Sequence, residues 1–409
     1  MSGAANPGRA GGRLIAYVGA YGNTTRYEGG GIHVFDVAAD GTALTETSHA
    51  REVLEAGYLA WSPRRAMLYA VDERKTDGRG PVEPQARVHA FAVDPRDGRL
   101  TWRNSRVAPG PRPTFLDLDD EAGRLVSANH GDFQHVERVV RGADGEWTSE
   151  FVYDDSTVIL YGIEADGALG KILDLKVLTG HGMDPNRSPQ NGGHAQASPH
   201  AHCAVIDPSR RYVIVCDKGT DTILVYRLGD TLELAQTFVM SPETGPRHIA
   251  FDASGARAYV TLEFASELAS FDFDPQTGAL TLLDRCRTTA ATHAGLNEPA
   301  EVRVHPQGRF VYANNRGEDS LAWFSVDAAG RLTREGSVPL AKSIHPGLAA
   351  RNFTFAPGGA FLLLADRPAN VVRAYAVDAD NGSLRVLTEA SVRDPAFVAF
   401  ATLDDTIEP

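Results

Sequence analysis

The chain has 409 residues and a net charge of −13, with 40 Lys and Arg against 53 Asp and Glu. That balance argues against a nucleic-acid partner, which calls for a basic face. The three cysteines, Cys203, Cys216 and Cys286, show neither the even count of a disulfide framework nor metal-ligand spacing, and they fit a reducing compartment.

The first residues, MSGAANPGRAGG (1–12), lack the apolar run of a signal peptide and predict a disordered tail. No later stretch approaches the ~18 apolar residues of a membrane span, so the expectation is a soluble, cytoplasmic protein with no membrane partner.

From residue 13 onward one phrase recurs. Alternating apolar residues lead into D/S/H-P, a short turn, and a strand rich in Tyr and Val. RLIAYVGAYG (13–22) and GGIHVFDV (30–37) open the series. GYLAWSPRRAMLYAVDE (57–73) and PTFLDLDDEAGRLVSANHG (113–131) follow, then HCAVIDPSRRYVIVCDKGTD (202–221) and RHIAFDASGARAYVTLEFAS (247–266). EVRVHPQGRFVYANNRGEDS (301–320), NFTFAPGGAFLLLADRPAN (352–370) and a last half-phrase, DPAFVAFA (394–401), end it. Each full phrase is followed by further strand patterns, joined by turns such as DPRDGRL and DADNGSL that carry the Asp, Asn and Gly of tight hairpins. Tyr17 to Tyr69 is 52 residues and Tyr259 to Tyr312 is 53. Four strands per repeat of about 50 residues predicts propeller blades.

The predicted fold is therefore all-β: a seven-bladed β-propeller. The C-terminal strand pairs with the N-terminal strands 13–49 in one blade and closes the ring, leaving no raw sheet edge. Residues 13–401 form a single domain, and 402–409 a C-terminal tail. Insert loops fall at about 131–157 and 175–199, because Val126 to Val213 is 87 residues.

In such a ring, first-strand starts and second-to-third-strand loops share one rim. Starts supply Arg112, His200, His202, Arg247, His248, Glu301, Arg303, Arg351 and Asn352. Loops supply Glu73, His130, Asp217, Lys218, Glu263, Asn315, Arg316, Asp366 and Arg367. The period of two puts His200 and His202 on one face, and Glu301 and Arg303 on another. A set of guanidinium groups on one rim of an acidic protein suits a small carboxylate or phosphate. His181, His194, His200 and His202 lie close in sequence, but no acidic or thiolate partner sits at fixed spacing, so no metal is expected. The loops DKGTD and NRGED read as turns whose Asp accepts backbone N–H groups.

The phrases PHAHCAVIDPSRRYVIVCDKGTD, GPRHIAFDASGARAYV, EVRVHPQGRFVYANNRGEDS and RNFTFAPGGAFLLLAD resemble the seven-bladed propeller lactonases, the family of bacterial 6-phosphogluconolactonase and its fungal relative carboxy-cis,cis-muconate cyclase. The resemblance spans about 13–401. It implies a cofactor-free enzyme acting on a small anionic lactone, or on the acid from which one forms. By motif it places the catalytic His on His202, two Arg on Arg247 and Arg303, and a Glu on Glu263. His200, Asp217, Glu301, Arg316, Arg351 and Asn352 are then expected substrate contacts. Lactone hydrolysis is the first expectation, lactonisation or cycloisomerisation of a muconate-type dicarboxylic acid the second, and a non-enzymatic binding propeller a distant third. A monomer is compatible with all three.

Overall fold

The computed structural model describes residues 12–23, 28–74, 85–183 and 194–403. The expected tail up to residue 11, the loop segment 184–193 and residues 404–409 lie outside these. Seven four-stranded antiparallel sheets are present. One blade is built from both ends of the chain. From the inside out it holds β30 (Pro395–Leu403), β1 (Arg13–Asn23), β2 (Glu28–Val37) and β3 (Leu44–Ala50).

The other six blades run outward in chain order. The next two start at β4 (Leu59–Ser62), with β5 (Met67–Asp72), and at β8 (Pro113–Asp119), with β9 (Arg124–Asn129), β12 (Thr157–Ile163) and β13 (Leu169–Val177). The fourth and fifth start at β14 (Ala201–Ile206), with β15 (Tyr212–Asp217), and at β18 (Pro246–Phe251), with β19 (Arg257–Leu262). The last two start at β22 (Glu298–Val304), with β23 (Phe310–Arg316), and at β26 (Asn352–Phe355). Each starting strand touches the next, and β30 sits between β26 and β4, so seven inner strands form a closed ring.

The second strands MLYAVD, YVIVCD and FLLLAD are buried along their whole length, as expected of strands covered on both faces. Glycines in the expected tight turns, Gly98, Gly278, Gly330 and Gly382, have φ between 73° and 82°, the region that favours glycine. A tyrosine in the second strand staples each of four blades to the next one. Tyr17 donates to the Gly98 carbonyl at 3.0 Å, Tyr69 to Gly167 at 2.9 Å, Tyr212 to Gln276 at 2.9 Å and Tyr312 to Gly382 at 2.7 Å. The acceptors are the very turns that join third and fourth strands, so in these four blades one tyrosine ties the blade to its neighbour.

The inserts differ from expectation. The stretch 131–157 contains a hairpin of its own, β10 (His135–Arg141) paired with β11 (Trp147–Tyr153), and residue 157 already belongs to β12. Residues 175–177 belong to β13, not to a loop. The final strand runs to Leu403, where Leu403 is buried, so residues 402–403 are sheet and not tail. The period-two pattern was readable in both places, but the high charge of 135–150 and the short length of 402–409 masked it.

The stapling tyrosines yield a direct expectation. Tyr312→Phe keeps the packing but leaves the buried Gly382 carbonyl without its donor, a loss of about 1–3 kcal/mol. Urea titration should show a lower midpoint with an unchanged slope; an unchanged midpoint would mean the bond does not hold the blades.

Candidate active site

The inner strands do not simply alternate. In five of the seven blades the pairing of first and second strands slips by one residue near the mouth: between Pro113 and Phe115, Ala201 and Cys203, Pro246 and Ile249, Pro299 and Val302, and beside Ala20 opposite Pro395–Phe397. Such bulges re-aim side chains. They turn Thr114 and His202 into the channel, and they let two consecutive residues, Arg247 and His248, both face it.

A cavity of about 380 Å³ opens at this mouth. Strand starts bring His202 and Arg247 to it, and Arg351 comes from just before β26. The ends of second strands bring Lys218, Glu263 and Arg316, while Glu73 and His130 follow β5 and β9. Arg112, Asp132, Phe133, Leu296, Glu298 and the loop at His345 and Gly347 complete the rim. Below, the channel narrows to a void of about 20 Å³ beside Tyr58, His248, Glu301, Asn352 and Phe397. Tyr58 is wedged between Phe115 and Phe397, with ring centroids at 4.2 and 3.9 Å, and forms an aromatic floor.

Glu263 organises the upper layer. Its Oε1 lies 2.7 Å from Lys218 Nζ, and its Oε2 lies 2.7 Å from Arg247 Nε and 3.0 Å from Arg316. Burial alone would raise its pKa, but the three cations outweigh burial and hold the carboxyl well below the ordinary range. Arg316 also reaches Glu298 at 3.1 Å. Arg247 is buried, its pKa pushed down to about 10 by burial and by Arg316, and it stays charged at neutral pH. Its buried Nη1 has no hydrogen-bond partner among the described residues. The cavity lining holds five Arg and Lys side chains against four carboxylates, so a chain of net charge −13 presents a mouth with one excess positive charge.

The lower layer is a chain of polar contacts. Glu301 Oε2 lies 3.3 Å from His248 Nδ1 and accepts from Asn352 at 2.8 Å, and Oε1 lies 3.2 Å from Arg303 Nε. His248 Nε2 meets His202 Nδ1 at 3.1 Å. Burial and the neighbouring Arg247 push the His248 pKa down to about 4 and that of His202 well below its ordinary value. Both imidazoles are therefore neutral at pH 7.

Of the expected residues, the structure gathers His202, Arg247, Glu263, Arg316 and Arg351 around the cavity, with Glu301 and Asn352 beneath. Three others lie elsewhere. Arg303 sits two residues beyond Glu301 on β22, roughly 6–7 Å along the strand. Its guanidinium engages Glu301, the Tyr58 hydroxyl at 3.3 Å and the Phe397 ring, away from the cavity lining. His200 does not share a face with His202, because the bulge between Ala201 and Cys203 breaks the alternation. It is buried, stacked on His130 at 4.5 Å, and its Nδ1 donates to the His130 carbonyl. The Asp217 carboxylate accepts backbone N–H groups of His200 and Gly219 and the Thr220 hydroxyl, so it shapes its turn. The four histidines of 181–202 also separate: His181 bonds Gly182, His194 lies beside His135, and only His202 of the four faces the channel among the described residues.

Some lining residues carried little sequence signal. Lys218, His130, Glu73, Arg112 and His248 stood among the rim residues, but nothing in their spacing ranked them above Arg303 or Asp217. Phe133 comes from the start of the insert, Glu298 from a β22 that begins three residues earlier than its phrase, and Leu296 from the segment just before that strand.

Comparisons with known proteins bear on what this mouth does. A family model described as "Lactonase, 7-bladed beta-propeller" matches residues 15–400. A 6-phosphogluconolactonase of Bacillus subtilis is 27% identical over 397 residues, covering 95% of this chain and 98% of the relative. One from Formosa agariphila is 24% identical over 385 residues, covering 92% and 96%. The solved periplasmic gluconolactonase of Pseudomonas aeruginosa superposes with a TM-score of 0.77 at 25% identity, covering 96% of this chain and all of the other.

The buried histidines fix a pH dependence. His200 and His248 each fall from about 6.5 unfolded to about 4 folded, so below pH 6.5 the unfolded chain binds protons that the folded one does not. Stability is then fully present above pH 6.5 and is lost as pH falls toward 4, on the order of 3 kcal/mol per group. Glu301, held at about 2 by Arg303 and His248 against burial, extends the loss from about pH 4.5 downward. Calorimetry between pH 8 and 4 should show Tm flat above 6.5 and falling below it. His200→Gln should flatten the fall; a Tm independent of pH over this window would contradict the neutral, buried histidines.

Proposed function

This chain belongs to the seven-bladed β-propeller lactonase family, and we propose that it hydrolyses a small anionic sugar lactone, a 6-phosphogluconolactone or a close analogue, in the cavity above the Tyr58 floor. The observation that carries the reading is Arg247: a fully buried guanidinium lining the cavity, with an Nη1 that no group among the described residues satisfies. A desolvated donor of this kind is stabilised by an anion or by a developing oxyanion. The cavity volume suits a sugar-sized ligand, and the relatives named 6-phosphogluconolactonase support the substrate class.

In this reading the excess positive charge of Arg247, Lys218, Arg316 and Arg351 holds the substrate's anionic group. Arg247 polarises the lactone carbonyl. His202 takes a proton from water as the water oxygen bonds to the carbonyl carbon, and the tetrahedral oxyanion rests against Arg247. The ring C–O bond then breaks, and the imidazolium returns its proton to the leaving alkoxide. The products are the open hydroxy acid and an unchanged site, with no cofactor consumed. Glu263 is already held by three cations, which suits it to orienting them and not to accepting a proton.

The test compares 6-phosphoglucono-δ-lactone, glucono-δ-lactone and muconate-type acids as substrates. The phosphorylated lactone should be turned over best. Arg247→Ala should lower kcat/KM tenfold to a hundredfold, from about 1.5–3 kcal/mol for a hydrogen bond to a charged group. Arg247→Lys should restore only part, because ammonium lacks the planar fork. Arg303→Ala should instead lower Tm more than kcat/KM. Full kcat/KM in a folded Arg247→Ala protein would overturn the role of Arg247. Turnover of the dicarboxylic acid alone would replace hydrolysis with lactonisation.

A further inference from the structure

We infer that Glu301, acting through His248, sets the tautomer of His202: His202 carries its proton on Nδ1 and presents a bare, basic Nε2 to the cavity. Glu301 and His248 are thus positioning residues, and neither touches the substrate. The catalytic consequence rests on the lactonase reading; the tautomer itself does not.

The direction of the chain follows from which atoms can donate. Glu301 is surrounded by donors. Arg303 Nε stands at one oxygen, and Asn352 Nδ2 and His248 Nδ1 at the other. Arg303 and His248 hold its carboxyl ionised against the cost of burial. An ionised carboxylate only accepts, so its charge 3.3 Å from His248 Nδ1 favours hydrogen on that nitrogen over a bare lone pair, although the two atoms are not aligned as a hydrogen bond. A neutral imidazole with hydrogen on Nδ1 has a bare Nε2, and burial beside Arg247 keeps His248 neutral. That bare nitrogen faces His202 Nδ1 at 3.1 Å. It can only accept, so His202 Nδ1 donates. His202 is neutral in turn, which leaves its Nε2 without hydrogen.

Among the described residues no group bonds to that nitrogen. His202 lines both the cavity and the void beneath it, and its contacts at Nδ1 are complete. The opposite tautomer would put an N–H at the cavity and a lone pair against His248, turning a proton acceptor into a donor. The strand geometry makes the relay possible. The bulge at Pro246–Ile249 brings His248 to the channel beside Arg247, and the bulge at Pro299–Val302 brings Glu301 up to meet it. The three residues come from three consecutive blades.

His130 is the internal comparison. Its Nδ1 lies 3.0 Å from the Gly131 carbonyl, which fixes the same tautomer through the backbone and without a carboxylate. Its tautomer must therefore be indifferent to Glu301.

Two-bond ¹H–¹⁵N correlation spectra of histidine-labelled full-length protein test the relay, with His202 assigned from His202→Gln. In the wild type, His202 should be the Nδ1–H tautomer with an unprotonated Nε2; hydrogen on Nε2 would overturn the proposal whatever the activity. Glu301→Gln should shift His248 and His202 to mixed tautomers and leave His130 unchanged. With the phosphorylated lactone it should lower kcat tenfold to a hundredfold while KM moves less than threefold. His248→Gln, whose amide keeps one donor and one acceptor, should retain the His202 tautomer and part of kcat, and His248→Phe should lose both. Unchanged His202 signals in folded Glu301→Gln would overturn the relay. A wild type that opens no lactone would sink the lactonase reading alone, because its spectrum decides the tautomer independently.

Discussion

The structure depends on the pairing of β1 with β30. A propeller blade buries both faces only when it has a neighbour on each side, so an open ring would expose two apolar sheets at once. Here the last strand occupies the innermost place in a blade whose other three strands come first in the chain. It pairs with β1 from Arg13 opposite Leu403 to Ala20 opposite Pro395, and it packs between the inner strands of the blades on either side. No covalent link joins the two ends. Closure is held by one strand's hydrogen bonds and by buried Phe397, Val398 and Ala401. Because seven strands must converge, mouth residues face side chains from other blades, and charges there find partners across blade boundaries as well as within a blade.

That constraint explains the ion cluster at Glu263. Lys218 comes from one blade, Arg247 and Glu263 from the next, and Arg316 from the one after. Desolvating four ionised groups is costly, and a buried ion cluster of this kind is not an efficient source of stability. Apolar side chains of similar volume would hold the blades at least as well. The cluster makes better sense as a way to keep guanidinium and ammonium groups fixed, dry and incompletely neutralised at a cavity. The outer turns show the contrast. There, tyrosine hydroxyls bridge the blades with neutral hydrogen bonds, and no buried charge is needed.

The fold was legible because its signal is redundant. Seven copies of one phrase, glycine turns, and a tyrosine recurring at steps of 52 and 53 all point to blades, and the half-phrases at the two ends point to closure. The site was legible only as a set. Convergence on one rim follows from topology, and it held for His202, Arg247, Glu263, Arg316 and Arg351. What failed was the finer rule that alternate residues share a face. A bulge changes that parity by one residue and leaves no mark in a single sequence, so His200 was grouped with His202 although it lies behind His130. Depth was equally hidden. Arg303 and Arg247 look alike as arginines opening inner strands, yet a shift of three residues along the strand puts Arg303 against Tyr58 and Phe397.

The two layers of the site are coupled through charge. His202 is a poor base because it is buried, and because the neighbouring cations Arg247 and Lys218 disfavour an imidazolium. An anion held by Arg247 and Lys218 offsets those same cations, and its own field favours the imidazolium that proton transfer creates. On the lactonase reading, the charge that binds the substrate is thus the charge that releases the base. An uncharged lactone of the same shape would fill the cavity without that offset, and would lose rate at the proton-transfer step as well as affinity. Selectivity for a charged substrate then needs no lid and no movement of the blades. It follows from placing a neutral imidazole, with its free nitrogen toward the cavity, among cations that a rigid ring cannot move away.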